Sequence, residues 1–194
     1  MTDEDRAWVS VDTTLAPDEL RAFCRDIERL LRLNPLLEVT SFVADGAGFA
    51  LVGALDGRPL AARAEVTEDE RGIALAWEGL LKKATRLGVE PLPQGGARLV
   101  IEDDYAGADE DERRTRLDEV DRSLLAWGQA IGGFLPRWKR WGGFGPWRWW
   151  TEGVWLRMTP QGRRVARLIA WTTLAEFVVF LMVVAVMLAA VTPP

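Results

Sequence analysis

Histidine is absent from this chain of 194 residues, and cysteine and tyrosine occur once each, as Cys24 and Tyr105. Without His, the commonest metal ligand and the commonest general base are missing. No Ser/His or Cys/His nucleophile arrangement can be drawn, and no metal or cofactor is expected. One cysteine cannot form an intrachain disulfide, which fits a reducing compartment. Positive charge is short in residues 1–136, which carry 16 Lys/Arg against 27 Asp/Glu. An acidic domain lacks the basic face that phosphate binding needs, so nucleic acid is not an expected partner. The acidic run Asp109–Glu112 has no EF-hand spacing. The opening MTDEDRAWVSVD has no apolar stretch of the kind a signal peptide carries. There is no internal repeat and no low-complexity linker.

What the chain has in plenty is concentrated in its tail. Residues 137–194 hold 8 Lys/Arg against 2 Asp/Glu, and seven of the ten Trp, at 138, 141, 147, 149, 150, 155 and 171. From Leu168 to Val191 there are 24 residues with one formal charge, Glu176. At ~1.5 Å per residue they make a helix of about 36 Å, enough to cross a hydrocarbon core of about 30 Å. The expected layout is a domain over 1–135, a Trp/Arg-rich interfacial collar over 136–164, a transmembrane helix over 165–191 and a tail over 192–194. Arg157, Arg163, Arg164 and Arg167 precede the span and nothing positive follows it. The positive-inside rule then places the domain in the cytoplasm, with the C-terminus outside a bacterial inner membrane crossed once.

The first 135 residues read as alternating strands and two kinds of helix. Trp8–Leu15 is a β-branched strand. Pro17, Asp18 and Glu19 start a helix whose apolar residues recur to Leu31, with a break near Arg25, and Asn34-Pro35 ends it. Strands follow at 37–43, 49–55, 58–67, 73–78, 82–90 and 97–105. Asp56-Gly57 is a hairpin signal. Asp109 caps a long helix striped by Leu117, Val120, Leu124, Trp127, Ile131 and Leu135. Gly132-Gly133 and Pro136 are expected to end it. Regular turns with no helices between the six strands indicate an antiparallel meander in an α+β domain.

The order strand, two short helices, six strands, long helix resembles the START-like superfamily, also called SRPBCC or helix-grip. The residues carrying the resemblance are TTLAPDELRAFCRDIERLLRLNP, the GARLVIEDDY strand and the long helix after it. The resemblance implies a curved sheet wrapped around the long helix, with an apolar cavity between them. The tail is similar to that of membrane-anchored bacterial members.

Alternation turns Val9, Val11, Leu51, Ile73, Leu75, Trp77, Leu99, Ile101 and Tyr105 to one side of the sheet. Most of these side chains are core packing on the plainer reading. The candidate cavity is lined by Leu51, Leu75, Trp77, Leu99, Tyr105, Leu124, Gly128 and Ile131. Gly128 either leaves room for a ligand or lets helix and strand approach closely. Asp103, Asp104 and Tyr105 offer an acid and a phenol, but a solvated strand end explains them better, and no catalytic residue is assigned. Trp138, Trp141, Trp147, Trp149, Trp150 and Trp155 suit a membrane interface, with a docking surface as the alternative. Glu176, with Thr172 and Thr173 one turn before it, lies inside the span. There it is a tolerated protonated carboxyl or a contact with another transmembrane helix.

These readings predict a membrane-tethered, non-catalytic protein that binds a hydrophobic ligand such as a lipid, quinone or isoprenoid. The alternative is an accessory subunit of a larger integral membrane complex, docking through the span and the collar. The expected partners are membrane lipid, the ligand and another integral membrane protein. A cyclase or aromatase activity has little acid–base chemistry to draw on.

Overall fold

Alternating apolar residues build seven strands in this chain: β1 Arg6–Thr13, β2 Leu37–Asp45, β3 Gly48–Leu55, β4 Arg58–Asp69, β5 Gly72–Glu78, β6 Ala84–Pro91 and β7 Ala97–Asp104. A computed structural model describes residues 6–106 and 110–191, with the side chains of 110–122, 160 and 189–191 left out. The chain divides into a unit ending at Arg157 and a second beginning at Met158.

All seven strands form one antiparallel sheet in the order β1-β7-β6-β5-β4-β3-β2. Six run as a meander, and β1 joins β7 with Val9 opposite Ile101 and Val11 opposite Leu99. The β3–β4 turn places Asp56 at φ 48° and Gly57 at φ 80°. Two successive positive φ values are what a tight hairpin turn requires. The sheet's inner face is a continuous core that includes Leu51, Leu75, Leu87, Leu99 and Ile101.

Two short helices fill the link between β1 and β2. In α1, Pro17–Cys24, the Glu19 carboxylate accepts from the Ala16 N–H at 2.9 Å. In α2, Ile27–Leu33, Asp26 caps the first turn by accepting from the Arg29 N–H at 3.0 Å. These caps satisfy donors that the helix itself leaves orphaned. The helix α3, Glu110–Trp141, packs along β1. A Cβ on Gly128 would sit 2.8 Å from Val9 Cγ2, and one on Gly132 would sit 3.2 Å from Val11 Cγ1. The glycines let α3 lie close against that strand. Asp109, the expected cap of α3, and the side chains of Leu117 and Val120 lie outside the described residues.

The expected stop at Gly132-Gly133 and Pro136 does not occur; α3 runs on to Trp141. Pro136 removes one N–H from the helix ladder, yet the next turn is held by tertiary packing. Phe134 lies 6.0 Å and Trp138 5.2 Å from Phe23, ring centre to ring centre. The guanidinium of Arg137 donates to the Gly133 carbonyl at 2.9 and 3.0 Å.

After α3 comes α4, Gly145–Arg148, which widens into a π-helical turn over Trp149–Trp155. Trp147 lies 5.9 Å from Phe134, and Leu156 is buried in the core. Trp138, Trp147 and Trp155 pack against that core, while Trp141, Trp149 and Trp150 are exposed. The segment expected to be a separate collar is thus partly a wall of the folded unit.

The second unit is the helix α5, Pro160–Val191. Thr159 Oγ1 accepts from the Gly162 N–H at 3.0 Å at its start. The stretch Gln161–Leu188 is long and apolar enough to cross a membrane. The Thr172 hydroxyl donates to the Leu168 carbonyl at 3.0 Å, a bond within the helix. Glu176 is exposed on an apolar helix surface.

Candidate ligand cavity

Between the sheet, α2 and α3 lies a cavity of about 300 Å³. That is the lower end of the range for small-molecule sites. Its apolar wall includes Leu31, Leu37, Leu51, Leu60, Trp77 and Trp127. Its polar lining is Asn34, Arg58, Lys82, Asp103, Tyr105 and Ser123.

The polar groups are ordered by strand register. Thr85 on β6 lies opposite Asp103 on β7. The Thr85 hydroxyl donates to Asp103 Oδ1 at 2.5 Å and accepts from Trp77 Nε1–H at 2.9 Å. Lys82, in the β5–β6 loop, donates to both Asp103 oxygens at 3.0 Å. The Tyr105 hydroxyl donates to Asp103 Oδ2 at 3.4 Å. The Lys82 ammonium also lies 5.4 Å from the Trp77 ring centre and 5.8 Å from that of Trp127. A cation over two indole faces is stabilised by their quadrupoles. On the α2 side, Asn34 Nδ2 donates to Ser123 Oγ at 3.3 Å and Asn34 Oδ1 accepts from the Leu36 N–H at 3.0 Å.

The solvated strand end expected at Asp103 is therefore a buried ion pair. Asp103 is 4% exposed, although it precedes an acidic loop. A buried carboxylate is tolerable only when paired and hydrogen-bonded, and here three side chains donate to it. Asp104 points the other way along the strand and accepts from the Ala106 N–H at 2.9 Å.

Of the eight residues expected around the cavity, Leu51, Trp77 and Tyr105 line it. Leu75, Leu99, Leu124 and Ile131 are core residues off its wall. Gly128 faces Val9, so of its two readings the close approach of helix and strand is the one realised. Sequence reasoning missed Lys82, Asn34, Arg58 and Ser123, which come from four different segments. Asp103 had a usable signal: it shares the period-two face of Leu99, Ile101 and Tyr105. Among the described residues, no group of three His, Cys, Asp or Glu side chains could hold a metal ion.

No protein-family model matches the chain, and no curated protein matches it in sequence. Solved structures do match in shape. A START superfamily protein from Mycobacterium smegmatis is 13% identical with a TM-score of 0.51, covering 68% of this chain and 97% of its own. The Zhui aromatase/cyclase from Streptomyces sp. R1128 is 17% identical with a TM-score of 0.54, covering 71% and 97%. One di-domain protein, the ARO/CYC StfQ of the steffimycin biosynthetic pathway, is 12% identical with a TM-score of 0.52, covering 69% of this chain and 51% of its own. The chain has the START-like, helix-grip fold: a seven-stranded antiparallel sheet with a long helix packed along it. To that fold the described residues add one apolar helix of membrane-spanning length.

Proposed function

We propose that this protein is a non-catalytic binder of a hydrophobic ligand, tethered to the cytoplasmic face of a membrane by α5. The observation that carries the reading is the apolar cavity with its small ordered polar cluster. Such a lining buries a greasy molecule and fixes its orientation. The aromatase/cyclases share the fold, but this chain has no His, and the carboxylate in its cavity, Asp103, is already taken up by Lys82, Thr85 and Tyr105. The exposed Trp141, Trp149 and Trp150, with the exposed Arg157, Arg164 and Arg167 ahead of the apolar run, suit a headgroup region. A binding domain tethered to a bilayer would exchange ligand with it without a long passage through bulk water.

The test is lipid extraction and mass spectrometry of the full chain purified from membranes. Leu80 lines the cavity from the β5–β6 loop, and the control is the variant Leu80→Trp, which fills part of the cavity with an indole. A molecule enriched in the wild type over this variant is the expected result. Equal extracts from both would overturn the reading.

Glu176 favours a second reading, an accessory subunit of a larger membrane complex. A carboxyl inside a span costs about 2.5–3.5 kcal/mol on insertion scales and normally faces protein. Glu176→Leu should then leave insertion intact and weaken recovery of an integral membrane partner. Unchanged co-purification would remove the argument.

A further inference from the structure

The polar cluster fixes more than orientation. We infer that the ligand is a neutral molecule whose carbonyl oxygen accepts a hydrogen bond from Lys82 inside the cavity. This rests on the reading of the cavity as a ligand site.

The argument is one of spare hydrogen-bonding capacity. Lys82 has three N–H donors. Asp103 takes at most two of them, and no further oxygen or nitrogen acceptor reaches the ammonium among the described residues. Ser123 accepts from Asn34, and its own O–H has no acceptor among the described residues. On the acceptor side little is left. Asp103 already receives Lys82, Thr85 and Tyr105. Asn34 Oδ1 already receives the Leu36 N–H. The lining thus offers donors and few acceptors. A ligand head that only accepts, such as a ketone, quinone, ester or lactone carbonyl, complements it. An alcohol would bury a donor with little to meet it.

Charge decides between a carbonyl and a carboxylate. The Lys82 ammonium is neutralised by a carboxylate 3.0 Å away. A second anion would be buried beside Asp103 and repelled by it, a desolvation cost the shared ammonium cannot offset twice. A neutral carbonyl incurs no such cost and gains a charge-assisted bond. The indoles of Trp77 and Trp127 flank the same ammonium, so a flat conjugated carbonyl would lie against ring faces.

The experiment uses full-length protein in phosphatidylcholine nanodiscs and four probes sharing one ring system: naphthalene, 2-naphthol, 2-naphthoate and 2-acetylnaphthalene. Cavity binding is the difference between wild type and Leu80→Trp. The expected result is 2-acetylnaphthalene bound about tenfold tighter than naphthalene, the size of one charge-assisted bond. In Lys82→Met/Asp103→Asn, which removes both charges together, that preference should fall to about twofold or less. Independently of any variant folding, the carbonyl stretch of the bound probe should shift to lower frequency than in hexane. Tightest binding of the naphthoate or naphthol, or an unshifted stretch, overturns the inference while leaving the cavity a ligand site. Equal binding of all four probes by wild type and Leu80→Trp would overturn both.

Discussion

Arg29 and Glu152 are 123 residues apart in the chain and 3.0 Å apart in space. Arg29 belongs to α2 and Glu152 to the π-helical turn near the end of the first unit. The guanidinium is 7% exposed. It also donates to the Phe23 carbonyl at 2.7 Å and lies 4.4 Å from the Phe23 ring centre and 5.5 Å from that of Trp138. One cation thus joins α1, α2, the end of α3 and the Trp-rich turn. A π-helical turn is an unusual geometry that needs outside support, and this ion pair supplies some of it.

Arg29→Met should therefore destabilise the first unit by about 3 kcal/mol, since it strips a buried charge network of its centre. Glu152→Gln keeps an acceptor and should cost about 1–2 kcal/mol. Urea denaturation of the full chain in detergent, followed by Trp fluorescence, measures both. The Arg29 variant should also expose the 149–155 turn to protease under native conditions. An undisturbed turn in Arg29→Met would show that ring packing alone holds it.

Gly128 predicts a sign reversal. Ala is worth about 1 kcal/mol more than Gly in a helix interior. A Cβ at 128 would nevertheless stand 2.8 Å from Val9 Cγ2 and 3.0 Å from Cγ1. Overpacking of this kind costs about 1–3 kcal/mol, so Gly128→Ala should be net destabilising in the wild type. With Val9→Ala in place the obstruction is gone, and adding Gly128→Ala should then stabilise. A double-mutant cycle in urea reads the reversal directly. Two additive losses would mean that α3 does not meet β1 here.

The elements that could be read from sequence are those whose signals are local. Asp56-Gly57 forms its turn because two adjacent residues adopt positive φ, and the inward series Leu99, Ile101, Tyr105 follows from the pleat. The seven strands and their meander came from the same two rules. The end of α3 was not legible because Gly132, Gly133 and Pro136 are local breakers overridden by a distant ring, Phe23. The burial of Asp103 was half legible: alternation turns it inward, but its partners Lys82 and Thr85 arrive only through strand register. Five of the eight residues expected around the cavity lie off its wall because apolar side chains in phase with the helix fill space, whereas its polar lining comes mostly from loops and strand ends.

Two surface ion pairs contribute to the acid limb of stability. Arg98 holds the Asp12 carboxyl below its ordinary range through a bidentate contact, at 2.6 and 3.0 Å. Arg25 does the same to Glu68 at 2.8 and 3.0 Å. A carboxylate with a lowered folded pKa binds protons more weakly folded than unfolded. Its contribution is present above the unfolded pKa, about 4, and is lost as pH falls through the folded value. Asp12→Asn/Glu68→Gln should make stability fall less steeply below pH 4, and 1 M salt should shrink the difference from wild type. The effect should be small, as exposed pairs are solvated. Identical acid limbs would show that neither pair forms in solution.

Cys24 contributes to the alkaline limb with the opposite sign. It is 1% exposed beneath α1, and burial pushes its thiol from 9.0 up to about 12. The folded state therefore holds this proton more tightly than the unfolded state. The contribution is complete below pH 9 and declines between the unfolded and folded values, from pH 9 towards about 12. Lysine and tyrosine titrate in the same window, so the comparison must be with Cys24→Ala, in which their effects cancel. At pH 8 the variant should be less stable by about 1 kcal/mol for the lost sulfur. Each pH unit above 9 should narrow that gap by about 1.4 kcal/mol, so that the two proteins converge near pH 10. In the native protein at pH 8 the thiol should resist a maleimide that labels it promptly in urea, because the thiolate is the reactive form and is suppressed by burial. A gap that stays constant from pH 8 to 10.5, or rapid native labelling, would place Cys24 at the surface and undo the packing of α1 against the sheet.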